Sequence, residues 1–416
     1  MFTLRSYKPT PQPVPVKVVV PVQAPVPVPT PAQEPKCNTF YNLHAYAAKP
    51  STASVLNFPP QYFSGSQLLN LYNIQKVIAK TRKVRIAVVI AYTYSGLKAD
   101  LDTYWKNSIN FGAESTPPVI NVHTMKGATF NAVWAQEECL DVQMVATMNP
   151  NATIWVVEAA SNSIKDLMAA VDYANDTIKV DVISMSWGGN DMMSNTSSNS
   201  YFTNPSISYC AASGDTNSVS WPAVLSNCIA VGGTTLLWTP TTNNTNTRTE
   251  YAWNSAGCGY SNTVLQPEYQ KDVKTISHTY RVIPDLSLIA NPATCVYTVY
   301  QGNWYGIGGT SVATPIFAAM ISLANQMRFN AGKGPLTTVF DNTPANNIQN
   351  YLYKTIYTNP IRYAADFYNI TIGTNKGSVG GTSSALTTYT ANSSFDVTNG
   401  LGSPNCKNLC NDLMRI

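Results

Sequence analysis

Four polar residues stand where this chain could do chemistry. Ser311 follows Gly308-Gly309-Thr310 and opens an apolar run from Val312 to Ala324. A serine at a buried helix N-terminus gains from the positive end of the helix dipole when its oxygen develops charge, and two glycines let another backbone approach closely. The same residue would serve equally as an ordinary N-cap. Glu137 and Asp141, in Ala135-Gln136-Glu137-Glu138-Cys139-Leu140-Asp141, are spaced to project from one face of a helix. Two acids placed together raise the pKa of one and can share a proton, which suits general acid–base work at acidic pH. The other reading of this stretch is a solvated acidic face with Glu138 part of it, and Cys139 between them as a packing residue. Asp215 ends Ala211-Ala212-Ser213-Gly214-Asp215, at the C-terminal end of a candidate strand, where open α/β sheets place their ligands. A protonated Asp215 could donate to a developing oxyanion beside the backbone N–H of Ser311, or it could simply close an Asx-turn. The three histidines, His44, His123 and His278, lie in no setting that suits a general base. His123 in particular precedes Thr124-Met125-Lys126-Gly127 without an obvious supporting acid.

Elements that would position these residues are legible from the apolar pattern. Val84 to Ile90, Ala152 to Ala159, Val180 to Met185, Ile207 to Ala212 and Cys228 to Val231 are short runs rich in Val, Ile or Ala, as strands buried on both faces would be. Between them, Trp134 to Thr147 and Ser163 to Asn175 carry apolar residues at helical spacing, and Ser163 with Asp166 has the shape of a capping box. The helix starting at Thr310 or Ser311 is apolar nearly all round and belongs in the core, with Pro315 expected in its first turn. The fold expected is α/β, a doubly wound and mostly parallel sheet with helices on both faces.

Composition narrows the partners. Charged residues make up 12% and hydrophobic ones 44% of 416 residues, so there is enough apolar matter for a large core and too little charge for a charged disordered chain. A net charge of +4 without basic runs argues against nucleic acid or anionic membrane, and no apolar stretch is long enough to span a bilayer. No secretory signal is visible at the start. Residues 9–36 are a Pro/Val-rich extended spacer, a semi-rigid tether or a docking ligand for a proline-binding module. The expected organisation is a tail over 1–36, a lead-in segment over 37–59 and a catalytic domain over 60–416. Among the eight cysteines, Cys210 with Cys228 and Cys258 with Cys295 are candidate pairs.

Taken in order, Glu137, Asp141, Asp215 and Ser311 resemble the pattern of the sedolisins, serine-carboxyl peptidases that share the subtilisin fold. Supporting stretches are Ser184-Met185-Ser186-Trp187-Gly188, Ala212-Ser213-Gly214-Asp215 with Trp221-Pro222-Ala223, Ala230-Val231-Gly232-Gly233-Thr234-Thr235, and Pro284-Asp285 leading to Gly309-Thr310-Ser311. The resemblance implies an acid-acting peptidase on peptide or protein substrates, with Ser311 as nucleophile, Glu137 as general base then acid, Asp141 orienting Glu137, and Asp215 in the oxyanion hole. An extracellular, lysosome-like or other acidic setting would follow from it. It also implies one Ca2+ near the C-terminus, here through Asn369, Ile370, Asn392, Ser394 and Asp396, in a site weakened because Asn369 stands in place of an acid. Two departures stand out: Ile90 occupies the place where many sedolisins extend the carboxylate network, and the residues before 60 do not read as a folded prosegment. A catalytically silent subtilisin-like binding or structural protein is the rival from another class, and a neutral-pH hydrolase using His123 is the second.

Overall fold

The computed structural model describes residues 34–40, 42–48, 62–74, 77–107, 110–192, 197–239, 247–276, 279–339, 345–380 and 385–416. Residues 35–416 form one compact unit. The Pro-rich tail up to residue 33, His278 and the side chain of His44 fall outside the described residues.

The N-terminal strands are β1 (Asn38–Thr39) and β2 (Asn42–Ala48). Then come β3 (Arg85–Ala91), β4 (Ile120–Thr124), β5 (Thr153–Ala159), β6 (Val182–Met185), β7 (Trp187–Asn190), β8 (Ser208–Ala212), β9 (Ser220–Trp221), β10 (Cys228–Thr239) and β11 (Thr247–Ala252). Later strands include β12 (Gly259–Leu265), β13 (Tyr280–Ile283), β14 (Leu286–Ile289), β15 (Val296–Tyr300) and β16 (Asn303–Gly308). The helices that matter here are α1 (Gly65–Leu71), α2 (Leu97–Trp105), α3 (Ala132–Met148), α4 (Ile164–Asp172) and α5 (Thr310–Asn330).

The central sheet runs β11-β10-β8-β6-β3-β5-β4, with β14 also paired to β10. Its pairs are parallel except the β10–β11 edge. That matches the sequence expectation, because each predicted run is apolar on both faces and β3, β6 and β8 are buried throughout or nearly so. Full burial of one such Val, Ile or Leu side chain contributes about 1.5–3 kcal/mol. The strand order reverses at β3, which lies between β5 and β6, so the carboxyl ends of these strands form the crevice where a doubly wound sheet takes its ligands.

Helix α3 is capped by Asn131, whose side chain accepts from the amides of Val133 and Trp134. Gln143 then pins α3 to β15 by two bonds with Val299, and Asn149 ties it to Ser322 of α5 at 2.8 Å. On α4 the capping box is only half formed. Ser163 accepts from the Asp166 amide, but the Asp166 carboxylate turns to the Ser161 hydroxyl, which in turn accepts from the Ser163 amide. All eight cysteines are buried thiols, so neither candidate pair is bonded. Cys210 and Cys228 lie on adjacent parallel strands one register position apart, with Cys210 opposite Ile229. No helix among the described residues is long and apolar enough to cross a membrane.

Candidate active site

The structure brings Glu137, Asp141, Asp215 and Ser311 to one place at the carboxyl ends of the central strands. Gly309 caps α5 with φ +123°, and a Cβ on Gly308 would come within 2.5 Å of the Pro292 backbone. The two glycines therefore allow the tight approach that sets Ser311, itself fully buried, at the second position of an almost wholly buried helix. Pro315 lies at the sixth helical position and not in the first turn, contrary to expectation. Proline cannot donate to the carbonyl four residues back, which is that of Ser311. The Ser186 hydroxyl approaches that carbonyl instead, at 3.4 Å.

Ser186 is the residue that joins the site together. Its hydroxyl donates to Asp141 Oδ1 at 2.6 Å, and its own carbonyl accepts the Ser311 hydroxyl at 3.2 Å. The Ser184-Met185-Ser186-Trp187-Gly188 motif marks this strand end in the sequence, but nothing there distinguishes Ser186 from its neighbour Ser184.

Glu137 and Asp141 are wholly buried. Neither oxygen of Glu137 nor Oδ2 of Asp141 has a hydrogen-bond partner among the described residues. Burial first, then the Asp141 carboxyl, push Glu137 well above the ordinary carboxylate range; the Ser311 hydroxyl draws it back and Asp215 adds to the rise. Asp141 is likewise raised by burial, against the pull of the Ser186 hydroxyl. Asp215 sits half-buried on the cleft wall, and its Oδ1 accepts both the amide and the hydroxyl of Thr310 at 2.9 Å.

The acidic-face reading of α3 fails for Glu138, which is 1% exposed and lies beside Glu158, itself buried. Burial and Glu158 push Glu138 well above its usual range. Glu158 also accepts from the Tyr94 amide and the Thr124 hydroxyl. It lies on β5 directly beside Ile90 of β3, so an acid flanks the position where Ile90 removes one. No periodicity in the sequence singles out Glu158, because it lies inside an apolar strand run. His123 is not brought to the nucleophile. It sits on the edge strand β4, separated from β6 by β5 and β3, with its ring stacked on Tyr173 at 3.8 Å.

At the C-terminal segment, Asp396 Oδ1 accepts from the amides of Thr398 and Asn399, while Oδ2 takes one long bond from the Asn392 amide at 3.3 Å. Asn369 Oδ1 accepts from Tyr363 at 3.4 Å. Among the described residues no cluster of three or more His, Cys, Asp or Glu could hold a metal, so Asp396 would be the single charged donor of such a site.

Residues 104–360 match the Peptidase_S8, or subtilase, family, and the chain belongs to that family. Its resemblance to the sedolisins within it holds. Kumamolisin of Bacillus sp. (strain MN-32) is 28% identical over 295 residues, which is 64% of this chain and 48% of that protein. Sedolisin of Pseudomonas sp. (strain 101) is 38% identical over 117 residues, 26% of this chain and 19% of that protein. Tripeptidyl-peptidase 1 of Rattus norvegicus is 30% identical over 95 residues, 20% of this chain and 16% of that protein. The chain thus spans at most about half the length of these relatives. In fold it is similar to Pseudomonas sedolisin, a serine-carboxyl proteinase solved with two molecules of pseudo-iodotyrostatin, at TM-score 0.66 and 20% identity over 85% of this chain and 98% of that one.

Proposed function

We propose that this protein is a serine-carboxyl peptidase that hydrolyses peptide bonds at acidic pH through an acyl-enzyme on Ser311. One observation carries the reading: Glu137 is buried beside Asp141 with both its oxygens unbonded, and the hydroxyl of Ser311 is near enough to act on its acidity. Glu137 takes the Ser311 proton as Oγ attacks the substrate carbonyl, then passes it to the leaving amine. Water repeats the sequence in reverse and frees the serine. Asp141, anchored by Ser186, holds Glu137 in place. The oxyanion is held by the Ser311 amide and by a protonated Asp215, whose other oxygen is fixed by Thr310.

The carboxyl pair works when partly protonated, so turnover should peak at about pH 3 to 5. The test is the pH–rate profile on a mixed quenched-peptide library, with Ser311→Ala as the folded reference. A peak near neutrality would overturn the acid-acting reading, and no turnover at any pH from folded protein would leave the silent scaffold. An acidic compartment or medium is the working environment this reading assigns. A Ca2+ ion is proposed at Asp396 Oδ2 and the carbonyls of Ile370, Asn392 and Ser394, with Asn369 as a neutral donor; it would supply fold stability, not a step of the reaction.

A further inference from the structure

Two buried thiols that take no part in the proposed chemistry stand side by side near the end of the chain. Cys406 and Cys410 are one turn apart on the C-terminal helix, Cys406–Leu413, so their side chains share a face. They are 1% and 4% exposed, and their sulfurs lie 3.6 Å apart without being bonded. The helix start is fixed from outside. The Cys406 amide donates to Tyr72 O at 2.9 Å, and the Asn405 side chain that caps the helix accepts from Asn73 at 3.3 Å. Leu409 and Leu413 bury the same face, and the helix packs on α5, where Met320 O accepts from the Cys410 thiol at 3.4 Å. A rigid element, not a loop, therefore sets the spacing of the two sulfurs.

The space beside them suits a single atom. A cavity of about 10 Å³ is lined by Cys406, Cys410, Val77, Leu323 and Met327, with the exposed Lys407 on its wall. That is about the room one water takes, but a buried water needs several polar partners, and these walls are mostly alkyl groups and sulfur. A metal–thiolate bond is about 2.3 Å long, so two sulfurs that share an ion stand about 4 Å apart, a side-chain adjustment from where these lie. Met327 brings a third sulfur on a flexible chain that adapts to irregular gaps. Zinc would want four donors, and among the described residues no third His, Cys, Asp or Glu joins the two cysteines. Calcium and magnesium take oxygen. A thiolate and thioether set selects copper(I), a soft ion that a few sulfurs satisfy.

We propose that Cys406, Cys410 and Met327 form a binding site for one copper(I) ion. On binding, two S–H bonds break and two S–Cu bonds form, while a lone pair of the Met327 thioether completes the ligand set. Both protons go to solvent and copper stays monovalent, so no oxidant or reductant enters. Two thiolates and one monovalent ion leave one net negative charge in an apolar niche, and the Lys407 ammonium on its wall offsets it. The ligands come from two helices, so the ion clips the C-terminal helix to α5. Met327 lies near the far end of α5 from Ser311, which makes the ion a staple of the fold and not a reagent of the peptidase.

Anaerobic titration of the full chain with copper(I), supplied as its acetonitrile complex against the chromophoric chelator bicinchoninate, tests this. Wild type should take one ion per chain and melt at a higher temperature when loaded. Cys406→Ala and Cys410→Ala, checked for native near-ultraviolet circular dichroism, should each weaken binding about 100-fold or more. Met327→Leu should weaken it about 10-fold, since a neutral thioether holds the ion less firmly than a thiolate. Cys228→Ala, which removes a buried thiol close to Cys210 in the sheet, should bind as wild type does. No uptake by wild type would overturn the site, as would wild-type affinity in the two folded cysteine variants or loss of binding in Cys228→Ala. Met327→Leu conserves side-chain volume, so it decides even where a cysteine variant fails to fold: unchanged affinity there would overturn the three-sulfur site.

Discussion

Two buried acidic sites in this molecule are built on opposite terms. Around Asp285, Arg281 lies wholly inside and meets both carboxylate oxygens, at 2.7 and 3.0 Å, while Tyr353 and the Ala230 amide supply further donors. Arg281 also donates to Cys228 O, and although burial works against its charge, the Asp285 carboxylate raises its already high pKa. Around Glu137 and Asp141 no cation lies among the described residues that act on them, and the Ser186 hydroxyl donates to Asp141. Both sites are equally dry, so the difference lies in compensation. A buried carboxylate with a full set of donors is fixed in one state and holds the fold; one left short of donors is poised to take and give a proton.

Substitution should separate the two. Glu137→Ala is expected to lower kcat/KM about 10⁴-fold, since it removes the group that moves the proton, and to leave the protein folded. Arg281→Ala should do the reverse. Leaving Asp285 buried and unpaired costs about 3–5 kcal/mol, read as an early urea midpoint, while kcat per folded molecule changes little. If Arg281→Ala unfolded no earlier than wild type, the contrast between the sites would collapse.

A smaller effect should come from Ser186→Ala. This change removes the one hydroxyl on Asp141 and the substitute partner of the Ser311 carbonyl, and kcat should fall about 10- to 100-fold as Glu137 loses its orientation. Ser186→Thr keeps a hydroxyl and should recover part of that loss with an unchanged pH optimum, as expected of a positioning residue and not of the proton carrier.

The sequence carried the nucleophile, the two acids on α3 and Asp215 because each sits on a regular element or at its end, where spacing implies a face. Five of the parallel strands, β3, β5, β6, β8 and β10, are legible for the same reason, and β4 and β14 are not. The sequence leaves the setting of Glu138 open because a helix buried on every side shows no polar face to subtract, and α3 is buried almost without break from Trp134 to Met148. Glu158 and Ser186 escaped because their roles depend on which strand lies next door. The placement of β1 and β2 is invisible in the sequence because they pair with β7 and β16, far away along the chain, and local pattern cannot report such pairing.

The comparison also predicts how stability responds to pH. Glu137 and Asp141 titrate higher in the folded protein than in the unfolded chain, where carboxyls titrate at about 4. The folded state therefore binds more protons, so their contribution is fully present below that value and is lost as pH rises through the folded pKa. Urea midpoints should be higher at pH 4 than at pH 7, and Glu137→Gln should flatten that slope. An unchanged slope in Glu137→Gln would mean that the pair is already compensated and that the site is not the proton relay described.

The smallest effect concerns Asp396. Its carboxylate is buried, which raises its pKa, yet Thr398 and Asn399 already saturate one of its oxygens and so take up part of what a cation would offer. With a single charged donor, the site should bind Ca2+ weakly, and ion at about the dissociation constant adds only RT ln 2, about 0.4 kcal/mol. The melting temperature should then rise by about 1 °C or less on adding millimolar Ca2+ and fall back with EDTA. Asn369→Asp supplies a second carboxylate and should enlarge the calcium-dependent rise while lowering the metal-free melting temperature, because the segment would then hold a second acid without a cation. A calcium response in wild type as large as in Asn369→Asp would show that the neutral side chain costs the site nothing.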